Sequence, residues 1–112
     1  MVIRLSDYKI TGEGGAAIGP VKAGTINFEA HNDGATEHEF VLLKNDADPA
    51  SLEVVDHKID EDTNGAGPGE VAAVAVGETK TESIDLAPGT YIYVCNLLAH
   101  YEQGMRGRLI IQ

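Results

Sequence analysis

The sequence predicts an all-β protein, a β-sandwich or barrel with one short helical insertion around residues 48–58. Short apolar-rich or alternating stretches recur at fairly regular intervals and are separated by turn residues, which is the pattern of a sheet protein. Only residues 45–69 fail to read as strand. There Asp48 is placed to cap, and Pro49 to open, a short helix to about Lys58, and a Gly-rich loop from Asn64 to Gly69 follows. The chain of 112 residues matches one ordinary domain and contains no internal repeat or interdomain linker, so 1–112 is expected to form a single domain.

Taken in order, strands are expected near 2–10, 24–31, 38–44, 70–76, 80–86, 90–95 and 107–112. In 24–31, Ile26, Phe28 and Ala30 fall on one face and Thr25, Asn27, Glu29 and His31 on the other, a period of two that marks a half-buried strand. Asn32-Asp33-Gly34 is a turn signal, because Asn and Asp side chains bond nearby backbone and Gly relaxes the steric limits. After the turn, His38, Phe40 and Leu42 share a face, so His38 opens its strand pointing toward the core. Pro88-Gly89 turns the chain into a strand that ends at Cys95, and another strand resumes after Gly107.

Composition narrows the function. The hydrophobic fraction of 43% and charged fraction of 23% are those of soluble globular proteins, and no apolar run reaches the length of a membrane span. The formal net charge of −10 argues against nucleic acid or an anionic membrane as the main partner, since both reward Lys and Arg. The opening Met1-Val2-Ile3-Arg4-Leu5 reads directly as strand, so an export leader is expected to have been removed or never to have existed. The one cysteine cannot form an intramolecular disulfide, and Cys95 is left for another role.

That role is suggested by the loop from Cys95 to Gly107, which holds a thiol, the imidazole of His100 and the thioether of Met105 between two strands. Soft thiolate and thioether favour copper(I), and imidazole accepts either oxidation state, so the set suits a copper site that exchanges one electron. A second histidine is needed, and His38, on the inward face after a turn, is the best placed. Cys95 could instead be an inert buried thiol and Met105 core filler. His31 falls on the polar face of its strand and His57 in the acidic helical stretch, which makes both bystanders.

Two stretches in order, Asn32-x-Gly34-x-x-x-His38-x-Phe40 and Tyr93-x-Cys95-x4-His100-x4-Met105, resemble the two ligand regions of the cupredoxin family, specifically its mononuclear blue (type 1) copper electron carriers. The loop spacing is closest to rusticyanin-like members, and plastocyanins and azurins use slightly different lengths. The resemblance covers nearly the whole chain. It implies a Greek-key β-sandwich or barrel, one copper ion cycling Cu(I)/Cu(II), and His38, Cys95, His100 and Met105 as metal ligands, Met105 weak and axial. It further implies redox protein partners such as a cytochrome or oxidase, a monomer, and a periplasmic or otherwise extracytoplasmic location. Many members follow the first histidine with Asn or Ser, which ties the ligand regions together; here Glu39 stands in that place.

Competing functions fit less well. Copper storage or delivery would use the same ligands but tolerate exchange. Four histidines cannot supply a trinuclear copper cluster and one cysteine cannot build a dinuclear purple centre, so an oxidase or reductase is not expected. A Cys95–His100 hydrolase pair would leave His38 and Met105 unexplained. Asp60-Glu61-Asp62-Thr63-Asn64-Gly65 begins like an EF-hand loop, but the twelfth position is Val71, not Glu. The apolar Leu97, Leu98 and Ala99 could form a docking patch around His100, and acids such as Asp46, Asp48, Asp60 and Asp62 could steer a basic partner or serve solubility alone. Arg106 and Arg108 lie just beyond Met105, where positive charge would favour reduced copper.

Overall fold

A computed structural model describes all 112 residues. Ten strands run in chain order: β1 Val2–Ser6, β2 Lys9–Thr11, β3 Gly24–Asn32, β4 His38–Lys44, β5 Val54–Val55, β6 Lys58–Ile59, β7 Gly69–Val74, β8 Thr79–Leu86, β9 Gly89–Val94 and β10 Arg106–Ile111. They form one sheet in the order β2-β1-β3-β8, a second in the order β10-β9-β4-β7, and a separate β5-β6 hairpin. The two four-stranded sheets face each other as a Greek-key β-sandwich, as expected for a chain that alternates inward and outward residues. No helix is long and apolar enough to cross a membrane.

Strand faces follow the period-two reading. Ile26, Phe28 and Ala30 are buried on β3, and His38, Phe40 and Leu42 are buried on β4. Phe28 and Phe40 meet between the sheets with ring centroids 5.4 Å apart, and Phe40 stacks on Tyr93 at 5.7 Å. The contacts join β3, β4 and β9 through one core that also contains Cys95 and Met105. β4 is buried on its other face as well: Val41 and Leu43 belong to a smaller cluster with Leu52, Ile59, Ile92, Val94 and Tyr101.

That second cluster explains the principal departure from expectation. The helix expected around 48–58 is a single 3-10 turn, Pro49–Ser51, followed by the β5-β6 hairpin. The local signals operate as read, with Asp48 Oδ1 accepting the Ala50 N–H at 2.9 Å and Pro49 opening the turn. Two long-range demands then end it. Leu52 is drawn into the outer cluster, where its N–H donates to the Tyr101 hydroxyl at 3.0 Å, and the β-branched Val54 pairs with Ile59. The excursion after β4 is therefore a cover for the outer face of the second sheet.

The strand expected over 2–10 is also divided. β1 turns at Asp7-Tyr8 and pairs antiparallel with β2, Ser6 opposite Lys9. β1 lies parallel to β3, Leu5 beside Asn32, and the Leu5 carbonyl accepts the Asp33 N–H at 2.7 Å. The Asp7 corner is thereby set against the Asn32–Gly34 turn.

Candidate metal centre

The turn after β3 is built by Asn32, which is buried. Its Oδ1 accepts the Gly34 N–H at 2.8 Å, and its Nδ2 donates to the carbonyls of Thr36 and Val74, each at 2.8 Å. The side chain thus closes the turn and ties it to β7, and β4 begins at His38 with a fixed entry angle. The His38 ring is fully buried.

The second region starts where β9 and β10 part. Beyond the last rung, Arg106 opposite Val94, the Cys95 N–H donates to the Met105 carbonyl at 3.0 Å, so these two residues sit side by side at the open end of the strand pair. Both are fully buried in the main core. Between them the chain winds tightly: His100 N–H donates to Leu97 O at 3.0 Å, Gly104 N–H to Tyr101 O at 3.0 Å and Met105 N–H to His100 O at 3.2 Å. This winding returns His100 toward Cys95.

The result is a cluster. One ligand atom from each of His38, Cys95 and His100 lies within 4.8 Å of the others. His38 Nδ1 is 3.2 Å from His100 Nδ1 and 3.9 Å from Cys95 Sγ, and His100 Nδ1 is 3.4 Å from that sulfur. Met105, the remaining sequence candidate, is buried beside Cys95. His31 and His57 are elsewhere: His31 bonds Glu29 and Thr79 on β3's outer face, and His57 bonds Glu102 at 2.9 Å.

The electrostatics of Cys95 and His100 fit a metal taken up by a thiolate and a neutral imidazole. Burial pushes the Cys95 thiol up, against the N–H groups of Leu97 and Glu39, so the metal-free sulfur holds its proton and uptake must release it. Burial also lowers the His100 imidazole, helped by facing His38 and opposed by Asp7. Two imidazole nitrogens and one sulfur, converging at the end of the core, form the donor set that copper of either oxidation state accepts.

Several contributors escaped the sequence. Asp7 Oδ1 lies 2.6 Å from His38 Nε2, and the same carboxylate accepts the Ala35 N–H at 2.9 Å. Those bonds, the first in importance being that from Ala35, hold its carboxyl below the ordinary range. Tyr8 sets its ring edgewise to both histidines, with centroids 5.0 Å from His100 and 6.2 Å from His38. Asn96 exchanges two 3.0 Å bonds with Ile59 and donates to Glu61 at 2.9 Å, which fastens the β6 strand to the residue after Cys95. At the hairpin tip, Asp56 and His57 both have positive φ, as a two-residue turn of this kind requires, and the His57 carbonyl accepts the Ala99 N–H at 2.8 Å. Asn96 next to the cysteine was the one readable hint among these.

Other expectations resolve locally. The Asp60 carboxylate is used in its own turn, accepting from Asp62 N–H at 3.0 Å and Thr63 N–H at 3.3 Å. Arg106 is pinned to the loop, its guanidinium 5.2 Å from the Tyr101 ring and donating to the Tyr101 carbonyl at 2.9 Å.

Residues 17–112 match the family described as copper binding proteins, plastocyanin/azurin family. No curated protein sequence matches the chain. Among solved structures, auracyanin B superposes with a TM-score of 0.71 at 20% identity, over 100% of this chain and 87% of its own. Reduced auracyanin from Roseiflexus castenholzii gives 0.65 at 20% identity, over 99% and 94%. Rusticyanin from Thiobacillus ferrooxidans gives 0.69 at 17% identity, over 100% and 77%. At these identities the likeness is one of fold.

Proposed function

The chain belongs to the plastocyanin/azurin family of copper-binding proteins, and from that premise we propose that it is a small blue copper electron carrier. In this reading His38, Cys95 and His100 would hold the copper, with Met105 as a further, weak ligand, and residues 1–112 act as one copper-binding unit without enzymatic activity. The observation that carries the reading is the convergence of three donor atoms within 4.8 Å on a braced scaffold. When bound, copper supplies a one-electron Cu(I)/Cu(II) couple.

The protein's own residues do the rest. Asn32, Glu39, Asn96 and the hairpin tip hold the two ligand regions in register, so the donors are positioned before metal arrives. Phe40, Tyr93 and Leu42 keep water from the buried side. His100 is the one donor of the three that is only partly buried, and Leu98 beside it is 62% exposed, which offers a route outward and an apolar surface for brief contact with a partner. Redox protein partners, such as a cytochrome or an oxidase, and a periplasmic or otherwise extracytoplasmic setting belong to the same reading.

The test is electron self-exchange in mixtures of oxidised and reduced copper-loaded protein, followed by nuclear magnetic resonance line broadening, with a chelator challenge in parallel. Concentration-dependent broadening centred on Leu97, Leu98 and Ala99, with copper retained, is expected. Copper lost quickly to the chelator, without exchange broadening, would favour storage or delivery.

A further inference from the structure

His38 and His100 are held differently, and the difference is on the side away from Cys95. His38 Nε2 faces the Asp7 carboxylate at 2.6 Å. His100 has no carboxylate partner; its ring meets Cys95, His38 and the edge of Tyr8. Asp7 is itself tied down, by the Ala35 N–H at 2.9 Å and the Thr36 hydroxyl at 3.3 Å. A carboxylate only accepts, so a contact this short calls for the ring proton on Nε2, and in the neutral ring the lone pair then lies on Nδ1, the atom facing Cys95 and His100.

The contact passes over Gly34. A Cβ there would collide with Asp7 Oδ1 and stand 2.8 Å from His38 Nε2. Gly34 has no positive φ, so the turn does not need glycine for its backbone conformation. What requires it is the close approach of the carboxylate to the imidazole.

Building on the copper reading above, we propose that Asp7 is a positioning residue for the metal centre: it holds His38 as the Nε2–H tautomer and biases the couple toward the oxidised state, with Gly34 as the gap that lets it reach. Two effects act in the same direction. A carboxylate accepting the distal N–H makes imidazole a stronger donor. Its fixed negative charge, on a side chain that is 26% exposed, favours the more highly charged copper(II) over copper(I).

The first arm of the test uses the metal-free wild-type protein. Long-range proton–nitrogen correlation at His38 is expected to show Nε2 protonated and Nδ1 bare; the opposite tautomer would overturn the proposal. The second arm measures the reduction potential of copper-loaded Asp7→Asn, Gly34→Ala and Glu37→Gln. Glu37 neighbours His38 and its charge is felt at Cys95, yet it makes no bond to the imidazole, so it controls for charge alone. Asp7→Asn is expected to weaken copper(II) binding relative to copper(I) by about tenfold, the low end for such outer partners. For a one-electron couple that is a rise of about 59 mV. Gly34→Ala, which keeps the charge but crowds the contact, is expected to move the potential the same way, and Glu37→Gln to move it less. A shift in Asp7→Asn no larger than in Glu37→Gln overturns the redox half. Should wild type fail to form a blue site, the functional reading fails and the redox half with it, while the tautomer still decides whether Asp7 positions His38.

Discussion

The backbone N–H of Glu39 donates to the Sγ of Cys95 across 3.4 Å, joining the residue after one histidine to the single thiol. The β4–β9 ladder accounts for it. Its last paired residues are Val41 and Val94, and two positions further Glu39 lies opposite Asn96, with the sulfur in place of a carbonyl acceptor. The Glu39 carboxylate then accepts the Asn96 N–H at 3.2 Å, so this one residue ties the two stretches together through both its backbone and its side chain.

That glutamate sits awkwardly. Burial pushes its carboxyl up, and the neighbouring Glu61 and Glu70 push it further. Glu39→Gln keeps an oxygen for Asn96 and removes the charge. The metal-free variant is expected to unfold at a higher urea midpoint than wild type near neutral pH, and a lower midpoint would show that the charge is needed for the brace.

Tyr101 anchors the excursion after β4. Its hydroxyl accepts from Leu52 N–H at 3.0 Å and donates to the Pro49 carbonyl at 2.5 Å. Tyr101→Phe leaves a buried N–H without a partner, which costs about 1–3 kcal/mol. Urea denaturation should register that loss, and amide exchange should quicken over residues 49–59 before the rest; uniform exchange would contradict the anchoring role.

Gly107 abuts the Tyr93 ring, and a Cβ there would overlap the phenol. Since Tyr93 stacks on Phe40, the ring cannot retreat without disturbing the core. Gly107→Ala is expected to destabilise by about 1–3 kcal/mol, as overpacking does, and a denaturation midpoint equal to wild type would mean that the ring has room to move.

Acid should selectively weaken the tie between β1 and the turn that follows β2. Arg4 grips Glu13 through Nε at 3.1 Å and Nη2 at 3.3 Å, which holds the Glu13 carboxyl below its ordinary range despite some desolvation. A depressed carboxyl contributes stability above its unfolded value, about 4.3 for glutamate, and loses it as pH falls through the folded one. Wild type should therefore melt slightly above Glu13→Gln at neutral pH, and the two should converge in acid. The gap is expected to shrink with salt, because the pair is exposed. A gap that persists in strong acid would rule out this origin.

What was legible in the sequence was local or periodic. Alternation placed Ile26, Phe28 and Ala30 inward, and the Cys95-x4-His100 spacing on one loop marked two of the three residues that cluster. Asp7 was not legible, because its approach to His38 depends on the parallel β1–β3 register and on Gly34 lacking a side chain. The helix expected from Asp48-Pro49 failed for a related reason. Capping signals act over one turn, and the fate of Leu52 is set by Tyr101, far along the chain.

The most direct test of the central claim is a titration of metal-free protein with one equivalent of copper(II), read by visible absorption and electron paramagnetic resonance, with Cys95→Ser alongside. An intense sulfur-to-copper band with narrow copper hyperfine splitting, absent from Cys95→Ser, is the predicted result. A pale spectrum with ordinary splitting, or the same spectrum from both proteins, would contradict a blue copper centre at His38, Cys95 and His100.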